Sequence, residues 1–199
     1  MKNFIKKIFR ISDTLYNFMV LRYRQVQYGR NLKILGKIYC VSNRRDGIII
    51  GDNVSINSSL ESNPIGGDRR TILFAKGCGK IRIGNNCGIS NSTLFAAASI
   101  EIGNDVLIGG GTKIYDTDFH WLDFHRRMKE PGGNSKPVII RDGAFIGAHC
   151  IICKGVTIGE RSIVGVGSVV TKNIPSNEIW GGCPAKRIRT VSGDDIGED

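Results

Sequence analysis

The segment IRDGAF-IGAHCI-ICKGVT-IGERSI-VGVGSV-VTKNIP, residues 140–175, repeats every six residues. Each hexad opens with Ile or Val. The fifth place holds Ala144, Cys150, Val156, Ser162, Ser168 and Ile174, all small or β-branched. A helix wants a period near 3.6 and a lone strand a period of 2, and this run obeys neither. A fixed period of six is the sign of a parallel β-helix, an all-β solenoid. One aliphatic residue per hexad stacks inward along each flat face, and the corners favour Gly, Asn and Asp, which tolerate left-handed backbone. Three hexads make one triangular coil, so residues 140–175 make two.

Upstream the frame is looser. LKILGKIYC from Leu32 and IIIGDNVSI (48–56) read as the first coils, and IGNNCG-ISNSTL-FAAASI restores the hexads from Ile83, with one extra residue before IGNDVL. Two stretches break the period. Residues 58–70 read as a surface loop that returns at TILFA, either a tolerated insertion or part of an acceptor site. Residues 114–137 (IYDTDFHWLDFHRRMKEPGGNSKP) are too long for a corner, and loops of this length are usually functional. Phe119, Trp121 and Phe124 are candidates to pin it. Residues 3–28 predict an amphipathic helix with Phe4, Ile8, Ile11, Leu15, Phe18, Met19 and Val26 on one face. That face could cap the first coil, pack on a neighbouring subunit, or lie on a membrane surface. The implied organisation is 1–30 helical segment, 31–180 β-helix, and 181–199 extension ending in the acidic SGDDIGED, read as disordered.

The chain of 199 residues carries a formal charge of +10, with the excess concentrated at the N-terminus. Residues 1–30 hold seven Lys and Arg against Asp13 alone. No nucleic-acid motif accompanies them, so anionic lipid or cofactor phosphates are the expected partners rather than nucleic acid. Of six cysteines, Cys87 and Cys150 fill small hexad slots, and the Cys150–Cys153 pair has no second pair or spaced His to make a zinc site. No signal peptide or spanning segment is evident, so a cytoplasmic location with reduced thiols is expected, with a peripheral position at the membrane open.

Three segments together carry a resemblance: IYDTDFH (114–120), FIGAHCIICKGVTIGERSIVGVGSVVTKNIP (145–175) and GGCPAKRIR (181–189). Over roughly residues 32–191 the chain resembles the hexapeptide-repeat acyltransferases, whose fold is a left-handed parallel β-helix. It is most similar to the polysaccharide O-acetyltransferases and the galactoside and maltose acetyltransferases. The resemblance implies a homotrimer that uses acetyl-CoA as acyl donor, requires no metal, and acetylates a sugar of a surface polysaccharide or its precursor. A basic amphipathic N-terminus would suit a lipid-linked or polymeric acceptor.

Acyl transfer from a thioester to a hydroxyl needs a base, an oxyanion donor and a groove that aligns both substrates. Neutral imidazole supplies the base. His120 follows a coil directly and matches the family's base. His125 lies deeper in the loop, and His149 sits at an exterior corner. Resemblance assigns the oxyanion donor to the backbone N–H of Ala148, where galactoside enzymes carry Ser. It places Val166 and Thr171 along the pantetheine arm and Lys172, Lys186 and Arg189 near the phosphates, a role their charge suits. Trp180 could stack on adenine or pack on the last coil. Ser90, Asn91, Asp118 and Trp121 are the candidate acceptor contacts. Asp118 could instead orient His120 or cap a turn. Ala97–Ala98 stand where the galactoside enzymes carry a sugar-binding Asp, which argues against a simple galactoside or maltose acceptor. Transfer to the amine of an amino sugar is the alternative within the class. His120 and His125 also have the H-x-x-x-x-H spacing of the γ-type carbonic anhydrases, but residues 83–86 (IGNN) lack the third His. A non-catalytic scaffold is the remaining reading.

Overall fold

The structure is a computed structural model that describes residues 2–67 and 70–192. The acidic tail 193–199 lies outside the described residues. Helix α1 (Lys2–Tyr23) leads into a left-handed parallel β-helix with three faces. Face A runs from Gln27–Tyr28 to Thr157–Ile158, face B from Lys33–Gly36 to Glu178–Gly181, and face C from Tyr39–Val41 to Val169–Val170. The chain visits A, B and C in turn, which makes six full coils and part of a seventh. Among the described residues no helix is long and apolar enough to cross a membrane.

The six-residue period becomes a register. Ile140 pairs with Ile158, Ile146 with Val164 and Ile152 with Val170, each eighteen residues on, which is three hexads and one coil. All six hexad openers and all six fifth-place residues are buried. Each fully buried Ile or Val removes apolar surface worth about 1.5–3 kcal/mol. Ile48–Ile81 pairs span thirty-three residues and Ile114–Ile152 thirty-eight, because the two long loops are extruded there without disturbing the stack. The frame differs at one place. FAAASI predicts Phe95 inward, but Leu94 and Ala96 are the buried pair and Phe95 faces out. The turn before this strand is one residue short, since Ile89 to Leu94 spans five residues where Ile108 to Ile114 spans six, and the extra residues lie after it, before Ile102. Ser92 is buried in the short turn, its hydroxyl within reach of the carbonyls of Ser90 and Gly109.

The corner between A and B is a ladder of Asn and Asp. Asn31, Asn53, Asn86 and Asp105 share left-handed backbone with φ near 58°. Each asparagine Nδ2 donates to the next side chain in line, Asn31 to Asn53, Asn53 to Asn86 and Asn86 to Asp105, at 2.9–3.0 Å. Beside it, the amides of Arg30, Asp52, Asn85 and Asn104 each donate to the Asp or Asn one coil below. Asn86→Ala removes both of its rungs and puts a Cβ-bearing residue without a polar tip in the left-handed region. A loss of about 1–3 kcal/mol is expected, visible as a lower thermal midpoint, with Asn86→Gly losing less.

Helix α1 stops earlier than its apolar pattern suggests. Gln25 turns left-handed (φ 55°), Val26 N donates to Leu21 O and Gln25 N to Arg22 O, a Schellman closure. The helix then caps the first coil, but not with the face expected. Asn17 and Leu21 are buried, with Val20 against the core. Asn17 Nδ2 donates to Gly36 O and its Oδ1 accepts from Ile38 N, satisfying backbone groups that have no preceding coil. Ile11, Leu15, Phe18 and Met19 remain half or more exposed on the opposite side. Val26 is buried in the first coil, outside the helix. At the other end Trp180, in register with inward Val164, packs on the core, and its Nε1–H donates to Glu178. Packing on the last coil is therefore the role the structure gives this side chain.

Candidate active site

The long loop leaves the solenoid after Lys113–Tyr115 on face C and rejoins it at Val138–Ile140 on face A, so it springs from the corner between C and A. Its base is closed like a drawstring. Lys136 N donates to Asp116 O, Thr117 bridges Ser135, Asp118 N donates to Asn134 O, and His120 bridges Gly132. His120 N donates to Asp118 O at 2.8 Å, and a side chain at Gly133 would collide with the His120 backbone. Phe119 takes left-handed backbone (φ 65°) and turns its ring back onto the outer surface of face C. There it meets Phe95 at 4.7 Å and Tyr115 at 5.3 Å, with Phe95 stacked on Phe74 at 4.9 Å. Contacts of this kind, each worth about 0.5–1.5 kcal/mol, offset the backbone strain. The backbone of His120 is thus anchored on both sides while its side chain stays exposed.

Two residues of this anchor were not singled out from the sequence. Asp116 is fully buried, and its two oxygens accept from Ala97 N and Ala98 N at 2.7 Å each. Burial pushes its carboxyl above the usual range, against the pull of these donors. The alternation along face C would have shown it, since 116 shares the inward side with Ile114. The Ala97–Ala98 pair therefore serves Asp116 with its amides. The second is Lys154, on the coil below, whose Nζ lies 2.9 Å from Asp118 Oδ2. The contact is ionic rather than an aligned hydrogen bond, because that buried oxygen lacks a well-directed donor. Asp118 therefore supports His120 through its backbone carbonyl, while its carboxylate faces Lys154.

The loop's outer part holds itself together. Helix α2 (Phe124–Lys129) is capped by Asp123, whose Oδ1 accepts from Arg126 N. The Arg126 guanidinium lies 3.3 Å from the Trp121 ring centre, and Arg127 donates to the carbonyls of Trp121 and Leu122. Trp121 is accordingly covered on one face, with its indole N–H buried and unpartnered among the described residues. Phe124 does not pin the loop. It is exposed and touches His125 edge-on. His149 sits on left-handed backbone at the corner between B and C, its ring over Gly111. The three histidines are thus dispersed, and among the described residues no three His, Cys, Asp or Glu side chains group as a metal site would require.

The remaining candidates fall at two corners. With His120, Asp118 and Trp121 at the C–A corner are Thr171 and Lys172, two coils below and exposed. At the B–C corner are Ser90, Asn91, Ala148 and Val166. Lys186 pairs with Gly181 at the foot of that corner, and Arg189 pairs with Ile179 on the edge of face B. Ser90 Oγ accepts from Asn57, and Asn91 is buried with its Nδ2 donating to Gly67 O. The described part of the first loop reaches this corner at Gly66, where a side chain would collide with Asn91. The Ala148 N–H has no acceptor among the described residues, while its carbonyl accepts from Gly167 N. Within one chain the structure does not bring His120 to Ala148. They lie at opposite edges of face C, whose width is about 13 Å for four residues at ~3.3 Å each.

Residues 137–172 match the family model described as bacterial transferase hexapeptide (six repeats), and residues 80–116 match the hexapeptide repeat of succinyl-transferase. A galactoside O-acetyltransferase of Escherichia coli is 34% identical over 123 residues, 61% of this chain and 59% of that relative. The chain spans about half the length of the curated relatives it matches. Among solved structures, a hexapeptide-repeat acetyltransferase from Vibrio cholerae superposes with TM-score 0.62 at 25% identity, over 90% of this chain and 81% of that one. An N-acyltransferase from Bacillus cereus, in complex with dTDP and 3-hydroxybutyryl-CoA, superposes with TM-score 0.70 at 24% identity, over 91% and 92%.

Proposed function

We propose that this hexapeptide-repeat protein is an acetyl-CoA-dependent O-acetyltransferase that acts on a sugar hydroxyl of a surface polysaccharide or its precursor. The observation that carries the reading is the closed neck of the long loop, which fixes the backbone of His120 and leaves its imidazole exposed. The similarity to a galactoside O-acetyltransferase supports the chemistry. His120 takes the proton of the acceptor hydroxyl as its oxygen attacks the thioester carbonyl. The Ala148 N–H, which has no acceptor among the described residues, holds the tetrahedral oxyanion. As the C–S bond breaks, the His120 imidazolium returns the proton to the leaving sulfur. The thioester is activated already, so neither a metal nor a covalent enzyme intermediate is needed.

The separation of His120 and Ala148 supports a site shared between protomers. In a closed homotrimer of parallel solenoids with face C turned toward the axis, the C–A corner of one chain would meet the B–C corner of the next. The two halves of the proposed cofactor set, Val166 with Lys186 and Thr171 with Lys172, then face each other across the cleft, with Arg189 at its rim. The test is release of free thiol from acetyl-CoA with a panel of oligosaccharides and amino sugars. Acceptor-dependent release with hydroxyl sugars is expected. Release with amines alone would assign N-acetylation, and release with none would reject the reading. A monomer at micromolar concentration would reject the shared site.

A further inference from the structure

We propose that the N-terminal end of the solenoid docks on an anionic bilayer, with an arginine-flanked cleft beside α1 as the seat of a lipid phosphate. The reading is independent of the transfer chemistry. Three observations carry it. The exposed side of α1 presents Ile11, Leu15, Phe18 and Met19 in one stripe, at 50–62% exposure, while the opposite side supplies the cap. At its C-terminal end the stripe runs into an open cleft of about 490 Å³ lined by Phe18, Leu21, Val26 and Tyr28 with Arg22 and Arg45. No carboxylate lines that cleft, and neither arginine has an ion pair among the described residues.

Charge selects the occupant. Residues 1–45 contain eleven Lys and Arg and one acid, Asp13, which is already paired with Lys37. A second copy of the same face would meet this cationic surface with its own. A nucleic acid would leave the apolar stripe uncovered. An anionic bilayer satisfies both at once. The stripe enters the boundary between headgroups and acyl chains, and Arg22 and Arg45 meet phosphate. The geometry is compatible, because α1 lies on the first coil, and three coil steps of about 4.8 Å plus a helix thickness of about 10 Å put the fourth coil, from which His120 emerges, roughly 25 Å from the bilayer.

The experiment is cosedimentation of the full chain with phosphatidylglycerol-containing vesicles and with neutral phosphatidylcholine vesicles, at low and at physiological salt. Retention on the anionic vesicles, weakened by salt, is expected. Arg22→Gln and Arg45→Gln should each weaken partitioning roughly fivefold. Leu15→Gln with Phe18→Gln should abolish it without altering the thermal midpoint, since both side chains are exposed. Inorganic phosphate at millimolar concentration should not compete the chain off, as a seat for a free anion would allow. Equal binding to both vesicle types, binding to neither, or full binding by a variant that combines Leu15→Gln, Phe18→Gln, Arg22→Gln and Arg45→Gln would overturn the proposal. So would a fall in oligomer mass of Leu15→Gln/Phe18→Gln, which would assign the stripe to contacts between copies. Thiol release with a water-soluble acceptor stays at the wild-type rate in these variants, so this test and that of the transferase reading fail separately.

Discussion

His120→Ala lowers the rate of acetyl transfer by about 10²–10⁴, the usual worth of a positioned general base, and leaves acetyl-CoA binding close to wild type. The size follows from how the residue is held. Its backbone is tied to Asp118 and Gly132, and the residue before it is docked on Phe95 and Tyr115. An imidazole on so constrained a backbone spends most of its time within reach of one place, and truncating it removes the proton acceptor without loosening the neck. The proposed phosphate contacts at Lys172, Lys186 and Arg189 lie coils away, which is why binding survives. His125→Ala and His149→Ala serve as comparisons. His125 rides on the exposed helix α2, and His149 covers Gly111 at the other corner. Each should cost less than tenfold, well below the range for a general base. Turnover of His120→Ala at the wild-type rate, measured by thiol release with a competent acceptor, would refute the assignment.

The fold was legible because a period of six leaves one solution. Inward Ile140, Ile146, Ile152, Ile158, Val164 and Val170 can all be buried together only if three hexads close a coil, and the registers follow. The error at Phe95 shows the limit. An aromatic at an apparent hexad opening looks like core, but the turn before it is one residue short, and only the pairing of Phe74, Phe95 and Tyr115 shows that the ring faces out. The position of α1 was legible, but not its orientation. The most apolar stripe was the natural choice for the cap, yet the coil beneath has orphan backbone groups, and Asn17 is what satisfies them. At the candidate site, His120 stood out by its place after a coil. Asp116 did not, although alternation from Ile114 places it inward; what satisfies an acid there is seen only in the Ala97 and Ala98 amides above it. That His120 and Ala148 occupy different corners could have been read by counting hexads. What such a count lacks is the neighbouring chain.

A shared site makes a sharper prediction than either residue alone. Ala148 precedes left-handed His149 (φ 58°) and is not itself left-handed, the order of the central positions of a type II turn, whose first place suits proline. Ala148→Pro therefore deletes the N–H while keeping the turn, and the Ala148 carbonyl can still accept from Gly167 N. Loss of one oxyanion donor should cost about 10²–10³ in turnover. The thermal midpoint reports whether the ring has disturbed the close approach of Gly109. His120→Ala and Ala148→Pro chains are then coexpressed with different tags, and the mixed oligomers are purified through both. If each site takes its base from one chain and its amide from the next, a mixed trimer regains one intact site, and an unselected equal mixture recovers about one quarter of wild-type activity by the statistics of a closed ring. If base and amide belonged to the same chain, every site in the mixture would carry one lesion or the other or, at best, both functions would stay separated, and no activity would return. Recovery near one third in the doubly purified oligomers, from two chains each nearly inactive alone, is the expected result, and its absence in a verified mixed trimer would reject the site between protomers.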